Sequence, residues 1–249
     1  MATTPAIDSG YWRLARAPRY NLVFVLPLLA AYELLAFGLS HDAIAGVRNG
    51  ADVILKSIFV ALGGRWGMVA FGILLVGGGA VRVVRDLHAN GSPRGRVYLG
   101  MAAEAVTYAI VFGGVVGALT ALVLGRWAAL AMGQFAEFDV PTQLMISLGA
   151  GLYEELLFRV LLVGGLALLA RKAFHWRPGR AGAFAVVVGA LAFSSFHYIG
   201  SYGDEFALGS FTFRAIAGAL FSGLYLIRGF GITAWTHALY DIFLTLGGI

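Results

Sequence analysis

Cysteine is absent from the 249 residues. Disulfides, thiolate metal sites and a cysteine nucleophile are therefore excluded within this chain. Charge is scarce as well: Asp, Glu, Lys and Arg make up 12% of the residues, against roughly 25% in an ordinary soluble domain. With 59% hydrophobic residues and a mean hydropathy of +0.82, the chain reads as all-α, a polytopic transmembrane helical bundle. Strongly alternating strand patterns are missing, which argues against a β-barrel. Internal repeats, low-complexity tracts and a soluble domain are missing too. The plentiful residue is glycine, 35 in all, which suits close helix–helix approach in lipid. The net charge of +5 does not call for a nucleic acid, because the basic residues lie between the apolar runs, where they set topology.

Seven apolar runs are legible, at about 21–39, 66–84, 97–124, 144–169, 183–202, 206–227 and from 230 to the C-terminus. Residues 51–63, with Asp52 and Lys56, read as an interfacial helix. Residues 1–20 form a polar, basic cytoplasmic segment and 21–249 a single transmembrane domain. A cleaved signal peptide is the rival reading of the first run, because Ala43-Ile44-Ala45 resembles a cleavage site. The length of the run, with Pro27 and Glu33 inside it, favours an uncleaved span. Arg13, Arg16 and Arg19, then Arg82, Arg85, Arg94 and Arg96, then Arg171, Lys172, Arg177 and Arg180, and finally Arg228 mark every second connection as basic. The loops after spans three and five are acidic or nearly neutral. The alternation predicts a cytoplasmic N-terminus and an outside C-terminus; Arg48 and Arg65 fit it least.

Three of the runs carry groups that hydrocarbon does not tolerate. Each charge at mid-membrane costs about 2.5–3.5 kcal/mol and usually faces a cavity with a job to do. Span four contains Tyr153-Glu154-Glu155-Leu156-Leu157-Phe158-Arg159. Glu155 and Arg159 are four apart and share a helix face, so Arg159 can hold Glu155, while Glu154 lies about 100° around the helix, free to act as a base. Phe193 and His197 share a face of span five, and His237 and Asp241 a face of span seven, where the carboxylate can fix the imidazole's tautomer. Helix rise places all of these in the outer-to-middle part of the membrane.

A carboxylate and a histidine around one water can activate it for attack on an amide, and a second histidine backed by a carboxylate can stabilise the oxyanion. Glu154, His197 and His237 could instead ligate Zn²⁺ with water in the fourth position. Both schemes end in peptide hydrolysis. No His-Glu-x-x-His occurs, and the free Glu154 favours a metal-free reaction with no cofactor. There is no Gly-x-Ser-Gly, and Tyr240-Asp241 has no Gly-x-Gly-Asp partner, which sets aside rhomboid-type and presenilin-type proteases. A proton-relay transporter is a weaker fit, since inverted repeats are lacking.

Glu154-Glu155-xxx-Arg159, Phe193-xxx-His197 and His237-xxx-Asp241 together resemble the three motifs of the CPBP (Abi) family of intramembrane proteases, which includes the Rce1-type CaaX-prenyl proteases. The resemblance covers about residues 153–241. It implies Glu154 as the base with His197 as its partner, His237 and Asp241 on the oxyanion side, and Glu155, Arg159 and Phe193 in support. Asp241 stands where the eukaryote-type CaaX proteases have Asn. The implied substrate is a membrane-bound protein or peptide and the implied location a bacterial inner membrane, with bacteriocin processing and C-terminal sorting as alternatives to CaaX processing. A non-catalytic immunity or partner protein on the same fold is the reading from another class.

Other residues have plainer expectations. Glu33 and Glu104 read as acids satisfied by local hydrogen bonds. Arg214 reads as paired with Asp204 or Glu205, or as reaching the site. Phe211, Phe213 and Phe221 read as packing or lipid-facing side chains, and Trp12, Trp66, Trp127 and Trp176 as interfacial anchors. Gly113-Gly114-xx-Gly117 reads as a helix-packing face.

Overall fold

The structure is a computed structural model that describes residues 9–39, 48–125, 138–200 and 203–247. Residues 1–8 of the N-terminal segment, Ala43-Ile44-Ala45, Trp127, Glu137 and the ends of spans five and seven lie outside the described residues. A short helix α1 (Ser9–Ala15) precedes α2 (Pro18–Leu39), which tightens to a 3₁₀ turn at Val23–Val25. Then come α3 (Gly50–Gly72), a π-helical stretch π1 (Ile73–Gly77) and α4 (Gly78–Asn90). After α5 (Gly95–Leu124), α6 (Val140–Gly149) runs into a second π-helix, π2 (Ala150–Val163), and on into α7 (Gly164–Ala173). The last three are α8 (Pro178–Phe196), α9 (Leu208–Arg228) and α10 (Phe230–Gly247). Local chemistry explains the starts: Pro18, Pro141 and Pro178 sit in first turns, and Asp139 caps α6 by accepting from the Thr142 amide at 3.2 Å.

Among the described residues, five helical stretches are long and apolar enough to cross a membrane: Pro18–Leu39, Gly50–Asn90, Gly95–Leu124, Pro178–Phe196 and Leu208–Arg228. The α6–π2–α7 rod and α10 fall short because they carry the motif charges, and both are packed among the others. The outer helices present bare apolar faces, with Leu62, Ile73, Leu74, Leu99, Ile110 and Leu122 all exposed. Faces of that extent are stable against lipid and not against water. The protein is an integral membrane protein, and the polytopic helical bundle expected from composition is the observed fold.

Residues 51–63 are a helix of their own, but one folded back on the second span. Gly63 and Gly64 break the helix, and Gly64 has φ 54°, a left-handed conformation that glycine adopts without strain. Beyond the break the chain reverses, so that Phe59 meets Phe71 with ring centroids 5.2 Å apart. In a straight helix those residues would be about 18 Å apart. This first half of α3 faces a core built from Tyr32, Leu55, Phe71, Met145, Leu152, Tyr153 and Ala238.

The basic connections gather at one end. Arg19 pairs with Asp86 at 3.0 Å, the Tyr20 hydroxyl accepts from the Arg94 amide, and Arg228 pairs with Glu104 while lying 3.9 Å over the Trp12 ring. At the other end Ser194 of α8 donates to the Phe211 carbonyl near the start of α9. Arg48, a poor fit to the charge alternation, is not a free loop charge: it pairs with Glu33 at 3.2 Å and Asp52 at 3.0 Å.

π2 and α10 cross so closely that a Cβ on Gly151 would fall 2.4 Å from the Ala234 carbonyl oxygen and 2.7 Å from the Ala238 methyl. Gly151→Ala should therefore force the two helices apart, destabilising the protein by about 1–3 kcal/mol and widening the contacts between their polar groups. Thermal unfolding of the purified variant checks this, and an unchanged unfolding temperature would contradict the close crossing. The Gly113-Gly114-xx-Gly117 face is a correction. Among the described residues no atom comes within 4 Å of a Cβ at any of the three, so none of them is a point of close helix approach there; Gly113 and Gly114 instead border an apolar groove beside Tyr240 and Phe243.

Candidate active site

The polar groups of the three motifs come together where π2, the end of α8 and α10 meet. Glu155 is fully buried and stands at the centre. Its Oε1 is 2.6 Å from Nδ1 of His237, and its Oε2 is 3.2 Å from Nε of Arg159. The expected Glu155–Arg159 pair is thus present, although the helix is π rather than α over this stretch. Four-residue spacing keeps the two side chains on one side in either form. The π-turns, with their i→i+5 bonds, are uncommon and concentrate at functional sites.

His237 differs from expectation in one respect. The four-residue spacing suggested that Asp241 orients the ring, and Asp241 does face Nε2, but at 3.5 Å. The carboxylate within hydrogen-bond distance is Glu155, on another helix. Phe221 completes the seat: it is fully buried and stacks on the imidazole at 4.5 Å with planes 22° apart. Phe221 is therefore a packing residue of the site and not a lipid-facing one.

Phe193 is the hub of the second motif. Its ring lies 4.2 Å from the Arg159 guanidinium, 4.9 Å from the His197 ring and 6.0 Å from the His237 ring. His197 caps the C-terminus of α8, since the helix ends at Phe196 and not near 202. Nδ1 of His197 is 2.9 Å from the Phe193 carbonyl. A carbonyl only accepts, so Nδ1 carries the proton and Nε2 of the neutral ring keeps its lone pair. His197 is half-buried, Glu154 is 7% exposed, and the two interact electrostatically, as do Glu154 and His237.

Arg159 is fully buried with its ion pair to Glu155 and rings on two sides, Phe193 and, at 5.6 Å, Phe221. Among the described residues its three guanidinium nitrogens make no hydrogen bond. Arg214 pairs with Asp204, the first of its two expected roles. Glu104 is bound by Arg228 and by the Tyr11 hydroxyl.

Glu33 is more than a locally satisfied acid. It accepts from the Tyr153 hydroxyl at 2.9 Å and pairs with Arg48 and Lys56, so it ties the first span to the motif helix. The residue missed by sequence reasoning is Asn49, whose Nδ2 donates to Oε1 of Glu154 at 2.8 Å. An Asn just before a helical run is a recognisable capping signal, but nothing local links it to a glutamate 105 positions away.

A zinc ion would require Glu154, His197 and His237 to offer lone pairs to one point. Among the described residues no three His, Asp or Glu side chains are so disposed, and both nitrogens of His237 face carboxylates. The residues as arranged do not fit that ion.

Comparison with known families matches residues 136–243 to the model described as Type II CAAX prenyl endopeptidase Rce1-like. Residues 136–243 are thus similar to that family, over less than half of the chain. No curated protein and no solved structure matches the chain. The match spans α6 to α10 and contains all three motifs, while α1 to α5 lie outside it. The matched family is a protease family.

Proposed function

We propose that the protein is an intramembrane endopeptidase that hydrolyses a peptide bond of a membrane-associated protein or peptide. The observation that supports this reading is the buried Glu154, held by Asn49, next to Glu155, which fixes the buried His237, with Phe193 between the rings of His237 and His197. Glu154 takes a proton from a water held between it and Nε2 of His197, and the hydroxide oxygen bonds to the peptide carbonyl carbon. The oxyanion that forms is met by the Nε2–H of a protonated His237, whose Nδ1–H is held by Glu155. Glu154 then delivers its proton to the amide nitrogen as the C–N bond breaks. Glu155, Arg159 and Phe193 hold the two histidines in place and touch no substrate.

The side of entry follows from charge. His197 at the end of α8 and Asn49 at the start of α3 belong to the end opposite the basic one. With basic loops cytoplasmic, the N-terminus is inside and the His197 end of the site lies toward the outer side. That favours an exported or membrane-tethered substrate, of the kind C-terminal sorting or bacteriocin processing would present, over a cytoplasmic prenylated one. The membrane proteomes of cells carrying wild-type protein and Glu154→Ala test this. An uncleaved precursor should accumulate in the variant; no accumulating precursor in cells that express folded Glu154→Ala would count against a protease.

A further inference from the structure

The N-terminal half, outside the Rce1-like match, contributes to the site. We propose that Asn49 is a positioning residue for Glu154: its side-chain amide holds Oε1, so that Oε2 is the oxygen aimed at water. This rests on the reading of Glu154 as the base. The 2.8 Å bond lies between a residue 3% exposed and one 7% exposed, and it is a direct contact from outside the motifs to the carboxylate. Among the described residues Oε2 accepts no hydrogen bond.

Asn49 has two polar ends and uses each for a different task. Its Oδ1 accepts from the Ala51 amide at 2.9 Å and caps α3. Ser, Thr or Asp caps a helix about as well, but Asp has no donor and the Ser or Thr hydroxyl is a single short group, whereas the amide carries an acceptor oxygen and a separate N–H donor that can serve two partners at once. Capping by itself therefore does not explain the nitrogen on Glu154. An Asp here would set another carboxylate against it.

The segment is clamped on both sides. Arg48 binds Glu33 and Asp52, Asp52 accepts from the Tyr32 hydroxyl at 2.8 Å, and Lys56 reaches Asp52 at 2.6 Å. Tyr153, next to Glu154 in sequence, binds Glu33. One turn before Glu154, Gly149 admits the Asn49 side chain: a Cβ there would fall 2.7 Å from that of Asn49. The first turn of α3 is thus tied to α2 and π2, and the amide itself is held by its bonds to Glu154 and the Ala51 amide. A donor fixed in this way stabilises the carboxylate form of Glu154 and restricts its rotation.

Asn49→Ser separates the two tasks, because serine keeps the capping oxygen and loses the reach to Glu154. Infrared titration of purified wild-type, Asn49→Ser and Glu154→Gln proteins in detergent reads the Glu154 carboxyl band, which the Gln variant assigns. In Asn49→Ser the midpoint should rise by about one pH unit, the loss of one donor to a carboxylate. With the precursor that accumulates in Glu154→Ala cells as substrate, kcat should fall about tenfold with KM unchanged, and the unfolding temperature should stay near wild type. An unshifted midpoint together with wild-type kcat would reduce Asn49 to a helix cap and overturn the proposal. Wild-type turnover by Glu154→Gln would instead remove the base, and the infrared midpoint would still report the contact.

Discussion

Glu154→Gln should lower turnover of the accumulated precursor by at least about 10²-fold, the low end for loss of a general base, while the protein inserts and folds as before. The amide is the same size as the carboxyl, and its oxygen can still accept from Nδ2 of Asn49, so the buried contact at 2.8 Å survives the change. What is lost is the ability to take a proton from water. Glu154 is 7% exposed and lies beside the His197, His237 and Arg159 groups of the motifs. Removing its charge therefore alters chemistry and electrostatics while leaving the packing alone. The check is cleavage by purified variants in detergent, with unfolding measured on the same samples. Cleavage at the wild-type rate would show that Glu154 is not the base.

The second large effect is on stability. Arg159→Ala should cost about 3–5 kcal/mol, the range for breaking a fully buried ion pair by removing one partner, and lower the unfolding temperature on the order of 10 °C. Arg159 and Glu155 are both 0% exposed, so water cannot replace the lost charge. The guanidinium also fills the space between the Phe193 and Phe221 rings, and a cavity would remain there. Replacing the pair together, Glu155→Leu with Arg159→Leu, should restore most of the stability, because no uncompensated charge is left. It should not restore cleavage, because Nδ1 of His237 then has no acceptor and the ring loses its orientation. A double variant no more stable than Arg159→Ala would show that the ion pair is not the source of the loss. A double variant that cleaves normally would show that Glu155 does not serve the site through His237.

Much of the architecture was readable from local pattern. Apolar runs of spanning length identify membrane helices because the bilayer excludes unpaired backbone. The pairing of Glu155 with Arg159 was readable because four residues return the chain to the same side of its own helix. The sharing of a face by Phe193 and His197 follows from the same rule, even with His197 at the helix end. Local spacing found one carboxylate partner of His237, Asp241 at 3.5 Å, and could not find the nearer one on another helix. His237 and Asp241 are four apart, yet the closest carboxylate to the imidazole comes from π2, 82 positions away. The glycines at 113, 114 and 117 look like a packing face, yet among the described residues nothing approaches them closely and two of them line a groove instead.

By itself, the sequence determined a cysteine-free, charge-poor helical membrane protein with three polar motifs in three spans. It also determined which residues of each motif share a side. Those are consequences of composition and of helix periodicity, which act over a few residues. Only the tertiary structure decided that Gly151 lets π2 approach α10 closely enough for Glu155 to hold His237. It also decided that the first span and the start of α3 fold over the site and bring Asn49 to Glu154. Such contacts depend on how whole helices cross, and a crossing is set by packing and by small residues at one point of contact, which no local period encodes.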